Sequence, residues 1–295
     1  MQHQQSSDWL QVADYRLHLR QLQPVEPNGQ RVLMLHGAIE NSRIFYNEKG
    51  RGLGCFLADQ GFTVYCADFA GRGQSIPAVS RSFNHSQQQL IADDIPALIR
   101  HLALAGPVHL VVHSWAGVVV AAALARQPEL VPLVRSLVTF GSKRCISVQS
   151  WQRWLHIDLV WNRLARLLCK AYGYLPARQW RFGADNEPAQ YLLDTIGWIR
   201  GEPFADPTDG FDYRSACQPV RWPPSWHFAA VNDQLLGHPR DVQAFLAETG
   251  LSSGRYSLLA KSAGQLLDYD HISMLTAPEA RQDHFPLLAD WLRVQ

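Results

Sequence analysis

Short apolar runs without alternation recur along the chain, at Arg31–Leu35, Phe62–Ala67, Val108–Val112, Leu137–Phe140 and Trp226–Val231. A run of this length with no polar alternate suits a strand buried on both faces, as in a parallel sheet. Residues 9–22 instead alternate roughly, which predicts two short strands around Ala13-Asp14-Tyr15, and Arg255–Ala260 predicts a last strand. Helical patterns lie between these runs. Gln88–Leu104 carries apolar residues at 90, 91, 95, 98, 99 and 102, close to helical spacing, and Pro96 inside it predicts a kink or a later helix start. Val118–Arg126 reads as a helix with Pro128 beyond its end, and His284–Leu292 as a carboxy-terminal helix. Strands alternating with helices predict an α/β fold with a mostly parallel sheet, whose ligands bind at the carboxyl ends of the strands.

The alternation stops between residues 143 and 222. That stretch holds six of the ten tryptophans, and Trp151–Leu168 within it has a helical stripe. Residues 143–222 are therefore expected to form a helical, tryptophan-rich cap inserted into a core made of residues 1–142 and 223–295. An apolar cap favours a hydrophobic substrate, and Trp151 and Trp154 are expected to face it.

Composition narrows the partners. The 295 residues include 27 basic and 26 acidic side chains with no basic stripe, which argues against nucleic acid as a ligand. The polar start Met1–Asp8 has no secretory pattern, and no apolar run approaches the roughly 20 residues of a membrane span. Five widely spaced cysteines without a C-x-x-C pair fit a reducing, cytoplasmic setting.

The chemistry centres on Val111-Val112-His113-Ser114-Trp115-Ala116-Gly117. Apolar β-branched residues lead into the serine and small residues follow it, so the segment reads as strand, sharp turn and helix with a hydroxyl at the tip. A serine nucleophile needs a base, an acid that orients the base, and donors for an oxyanion. Leu33–Ala38 ends a strand in His36-Gly37, where the glycine is expected to turn the backbone so that the Ala38 N–H, with that of Trp115, meets the oxyanion. His36 and Gly37 are expected at the substrate. Asp233 ends the strand that resumes after the insertion and is the acid candidate, ahead of Asp206, Asp209, Asp212, Asp268 and Asp270. His271 lies between the last strand and the last helix and is the base candidate. Asp68-x-x-Gly71-x-Gly73-x-Ser75 looks superficially like a dinucleotide loop, but Ile76 stands where its third glycine would be, and Gly50–Gly54 follows no strand.

Oxyanion loop, serine turn, acid and histidine occur in the chain order of the α/β-hydrolases, which this sequence resembles over residues 9–292. The motifs are His36-Gly37, Asp68-x-x-Gly71-x-Gly73-x-Ser75, His113-Ser114-x-Ala116-Gly117, Asp233 and His271; Gly52–Ala58 looks like the lipase-related branch. The resemblance implies a sheet of about eight mostly parallel strands flanked by helices, with the cap before the acid-bearing strand. It also implies a Ser114–His271–Asp233 triad that needs no metal or organic cofactor. The expected activity is hydrolysis of a small hydrophobic ester or thioester through an acyl-enzyme on Ser114. Acyltransferase, lactonase, haloperoxidase-like and carbon–carbon hydrolase activities use the same triad, and a non-catalytic binding protein of this fold is a further alternative. Serine at the elbow argues against the dehalogenase and epoxide hydrolase relatives, which carry a carboxylate there. The sequence departs from the pattern G-x-S-x-G at Val112 and Ala116, and the bulk of Val112 is expected to hold the following helix slightly farther out.

Overall fold

The computed structural model of the protein describes residues 2–295. The strands in chain order are β1 (His3–Val12), β2 (Tyr15–Pro24), β3 (Arg31–Leu35), β4 (Thr63–Ala67), β5 (Val108–His113), β6 (Val134–Phe140), β7 (Tyr174–Leu175), β8 (Glu187–Pro188), β9 (Ser225–Ala230) and β10 (Arg255–Leu259). Eight of them form one sheet in the order β1-β2-β4-β3-β5-β6-β9-β10, while β7 and β8 pair with each other outside it. The pairs β1/β2 and β2/β4 are antiparallel, and every other pair in the large sheet is parallel.

The continuous apolar runs have a direct cause. Successive side chains of a strand point to opposite faces. In β3, Leu33 and Leu35 enter one buried cluster while Val32 and Met34 enter the other; in β5, Leu110 and Val112 oppose Val111. Helices Ile95–Ala103 and Trp115–Arg126 cover the first face, and Leu53–Asp59 and His284–Arg293 cover the second. With both faces covered, the few polar residues of β5 are buried and hydrogen-bonded, as His109 is to Ser136 at 2.7 Å.

The first hairpin is longer than its pattern predicts. β1 pairs with β2 in register from His3↔Pro24 to Val12↔Tyr15. It is an edge strand, so its polar residues stay wet and its backbone bonds to β2 hold it without an apolar signature. Pro96 stands inside a continuous helical segment, Gln87–Ala103, whose middle turn Leu90–Asp94 is π-type; the Ala92 carbonyl, four residues before the proline, accepts instead from Gln127 Nε2 at 2.8 Å.

Between β6 and β9 the chain forms helices Trp151–Arg153, Trp154–Leu164 (π-type), Ala165–Tyr172, Ala189–Ile199 and Tyr213–Cys217. Ala165, Leu168, Leu175, Leu192 and Ile196 give this insertion a small apolar cluster of its own. Among the described residues no helix is long and apolar enough to cross a membrane.

Candidate active site

The carboxyl ends of β3, β5, β6 and β9 and the loop after β10 open onto a cavity of about 920 Å³, whose wall includes Ala38, Ser114, Trp115, Lys143, Asp233 and His271. Ser114 joins β5 to the helix Trp115–Arg126 with φ at +53°, a conformation that a residue with a side chain adopts only under constraint. Its own N–H donates to the Phe140 carbonyl at 2.7 Å, which ties the turn to β6. The serine is 8% exposed.

Val112 is fully buried beneath the helix. Gly117 on that helix is required by Ser142, whose hydroxyl an added Cβ would meet at 2.1 Å, while Val112 would lie at an ordinary contact distance of 3.5 Å.

His271 bridges Ser114 and Asp233. Its Nδ1 lies 2.5 Å from Asp233 Oδ2 and its Nε2 lies 2.9 Å from Ser114 Oγ. An ionised carboxylate only accepts, so Nδ1 donates and Nε2 is left to accept from the serine hydroxyl. Burial lowers the His271 pKa below 6.5, although Asp233 pulls the other way. Burial alone would raise Asp233; the hydrogen bond to His271 and the charges of His271 and Lys143 outweigh it and hold the carboxyl below its usual value. The other aspartates considered are engaged elsewhere. Asp206 accepts from Tyr213, Asp209 pairs with Arg126, Asp212 accepts from Ser215, Asp268 from the Lys261 N–H, and Asp270 from the N–H groups of Ile272 and Ser273.

Among the described residues the N–H groups of Ala38 and Trp115 have no protein acceptor. Gly37 contributes differently from the expectation. Its φ is not left-handed; instead a Cβ there would sit 2.8 Å from the Ser114 Cβ, so the glycine allows the β3 loop to pass close to the serine. His36 is fully buried and lies behind the wall, where Nδ1 donates to the Gly37 carbonyl at 2.8 Å and Nε2 accepts from the Phe69 N–H at 3.2 Å. Neither His36 nor Gly37 lines the cavity.

Trp151 and Trp154 also stand outside the wall. They are 68% and 50% exposed and stack on each other at 4.9 Å. The wall is taken instead by Ile157, Val160 and Trp161 of the π-type segment. Its i→i+5 bonding changes the angular spacing of side chains, so the stripe expected of an ordinary helix does not pick the inward residues. Trp115 does line the cavity, with its indole N–H donating to Gln87 Oε1 at 2.7 Å. Gly52–Ala58 makes up the N-cap and nearly all of the core helix Leu53–Asp59, away from the cavity. The Asp68 motif is a loop staple: the carboxylate accepts from the N–H groups of Ser42 (2.7 Å) and Gln74 (3.0 Å) and faces His18 Nδ1 (2.8 Å).

Three features escaped the sequence reading. Glu40 Oε2 accepts from the Gly37 N–H and from His113 Nδ1, both at 2.9 Å, while His113 Nε2 lies 2.9 Å from the His271 carbonyl. Both ring nitrogens of His113 thus face acceptors, so both must donate and the ring is a buried imidazolium. Against the opposing effect of burial, Glu40 raises the His113 pKa, and His113 holds the Glu40 pKa down at about 2. This ion pair ties the loop after β3 to the backbone of His271. Arg72 and Glu187 form a second buried pair, and Glu187 accepts from the Ile39 N–H next to Ala38. Lys143 is the third feature, a buried cation in the cavity wall. Of these residues His113, which ends β5, and Lys143, which follows β6, had a positional signal in the sequence, since each stands at the carboxyl end of a core strand. Among the described residues no cluster of histidine, cysteine and carboxylate side chains could hold a metal ion.

Comparison with known proteins gives one consistent result. A family model of the α/β hydrolase fold matches residues 30–167. The thioesterase domain from the curacin biosynthetic pathway superposes with a TM-score of 0.59 at 16% identity, over 99% of this chain and all of that one. A thermophilic esterase from Thermogutta terrifontis gives 0.60 at 16% identity, over 98% of each chain. The enol-lactonase from Burkholderia xenovorans LB400 gives 0.60 at 16% identity, over 97% and 99%. No curated protein sequence matches the chain significantly.

Proposed function

Because the chain has the α/β-hydrolase fold, we propose that it is a serine hydrolase that cleaves a carboxylic ester or thioester with a hydrophobic acyl group. The observation that carries this reading is the unbroken chain from Asp233 Oδ2 through His271 to Ser114 Oγ, at 2.5 and 2.9 Å, at the wall of a large apolar cavity. Ser114 attacks the carbonyl carbon as His271 Nε2 takes the hydroxyl proton, and Asp233 holds the imidazole and stabilises its charged form. The unengaged N–H groups of Ala38 and Trp115 donate to the oxyanion, a contribution of roughly 2.7–4 kcal/mol per donor in other systems. The proton on His271 then goes to the leaving oxygen or sulfur. A water, deprotonated by the same histidine, hydrolyses the acyl-enzyme and regenerates Ser114.

In this reading residues 143–222 are a cap that closes the acyl pocket with Ile157, Val160, Trp161 and Phe182. Labelling by a fluorophosphonate probe tests the nucleophile: folded wild-type protein is expected to label and Ser114→Ala is not. Absence of labelling on folded wild type would remove the hydrolase reading in favour of a binding protein. Aryl esters of increasing chain length test the pocket, with rates expected to rise beyond acetyl. A preference for acetyl would contradict a hydrophobic acyl site.

A further inference from the structure

Lys143 follows the end of β6 and is 4% exposed, yet it belongs to the wall of the same cavity as Ser114. Among the described residues its ammonium has neither a hydrogen-bond acceptor nor an ion-pair partner. It lies against the ring of Trp115, 5.7 Å from the centroid, next in sequence to the serine. Buried lysines are normally paired, because an ammonium taken from water loses several kcal/mol of solvation.

The carboxylates around it are already committed. Asp233 is bonded to His271, Glu40 to His113 and the Gly37 N–H, and Asp241 to the Ser147 hydroxyl and N–H. Their charges favour the ammonium but satisfy none of its three N–H bonds, and burial still lowers its pKa. The surrounding wall is largely apolar, with Ile146, Ile157, Val160, Trp161, Phe182 and Ile199.

We infer that Lys143 receives a carboxylate of the ligand, so that the site takes an amphipathic anion: an ester or thioester with an apolar body and one acidic group. The anion supplies the missing acceptor and neutralises the buried charge, while the body fills the apolar wall. A wholly neutral ester would leave the ammonium unsatisfied. The ester part of this inference rests on Ser114 being the nucleophile; the anion part does not.

The test compares p-nitrophenyl monoesters of dicarboxylic acids from succinate to suberate with methyl-terminated esters of equal length. A second pair, 4-carboxyphenyl and phenyl hexanoate, asks whether the acid lies on the leaving-group side. At the best length, the kcat/KM preference for the acidic member of one pair is expected to fall about tenfold or more in Lys143→Met, as loss of a charged hydrogen bond implies. An equal loss on charged and neutral esters would overturn the inference, since Lys143 would then act through the Ser114 machinery. So would no loss at all. Calorimetric binding of adipate and hexanoate to Ser114→Ala and to Ser114→Ala/Lys143→Met needs no turnover. Weakening by about tenfold in the double variant is expected, and equal affinity would overturn the assignment. Lysine-dependent carboxylate binding without turnover of any ester would sink the hydrolase reading and leave the anion site standing.

Discussion

Two histidines lie within one ring-to-ring contact, with centroids 4.6 Å apart, and their surroundings give them opposite states. His271 has one acceptor and one hydroxyl, and burial keeps it neutral; His113 has two acceptors and is charged. A neutral His271 is the form able to take a proton from Ser114. Its folded pKa is lowered, so activity is full at neutral pH and is lost as pH falls through a midpoint below 6.5. The kcat/KM profile on an aryl ester checks this, and an acid limb centred above 6.5 would contradict it. Asp233→Asn is expected to cut kcat by about 10⁴-fold while the circular dichroism spectrum is kept, because the amide favours the wrong tautomer. Near-normal turnover would move the acid role elsewhere. Glu40→Gln leaves the His113 charge buried without its counter-ion, and urea unfolding is expected to show a loss of about 3 kcal/mol.

At the scale of elements, the insertion reaches the loop after β3. Ile39 is β-branched and has φ at +51°, a conformation that costs about 1–3 kcal/mol unless the surroundings hold it. Its N–H donates to Glu187 of β8, and its carbonyl accepts from the N–H groups of Ala184 (2.8 Å) and Asp185 (3.1 Å). Glu187 is fixed in turn by Arg72, whose guanidinium lies 4.1 Å from the centroid of the Tyr191 ring. The insertion thus sets the direction of the peptide beside Ala38. Glu187→Gln is expected to lower kcat by about 10²-fold through the oxyanion donor and to destabilise the fold by about 3–5 kcal/mol through the uncompensated arginine. Steady-state kinetics alongside urea denaturation separates the two effects; a folded variant with unchanged kcat would break the proposed link. Gly37→Ala probes the other side of the same loop, because its Cβ would have to displace Ser114.

For the whole molecule, buried carboxylates set the response to acid. Asp68, Asp233 and Glu40 all have folded pKa values below their ordinary ones, Glu40 at about 2 against 4.5. The unfolded chain therefore binds more protons as pH falls, and stability present above about pH 4.5 is lost progressively towards pH 2. Glu187 works in the opposite sense, since burial raises it. Urea midpoints taken between pH 6 and pH 3 are expected to fall steadily, and a flat profile would show that these pairs are compensated in the unfolded chain.

The parallel strands and the serine turn were legible because they depend on local composition, whereas Ser114, Asp233 and His271 were grouped by chain order and resemblance, and the structure brings their side chains within hydrogen-bond reach. A strand covered on both faces is largely apolar, and ligands of a parallel sheet meet the carboxyl ends of its strands. The edge strand β1 was legible only in part, since backbone bonding leaves no apolar trace in its sequence. Tertiary structure decided the rest because it depends on which distant atoms meet. It turned Trp151 and Trp154 outward through the winding of the insertion, packed Gly117 against Ser142, and joined Glu40 to His113 and Arg72 to Glu187 across the fold. It also left Lys143 buried in the cavity wall with no acceptor or ion-pair partner among the described residues, a property that no residue's neighbours in sequence can specify.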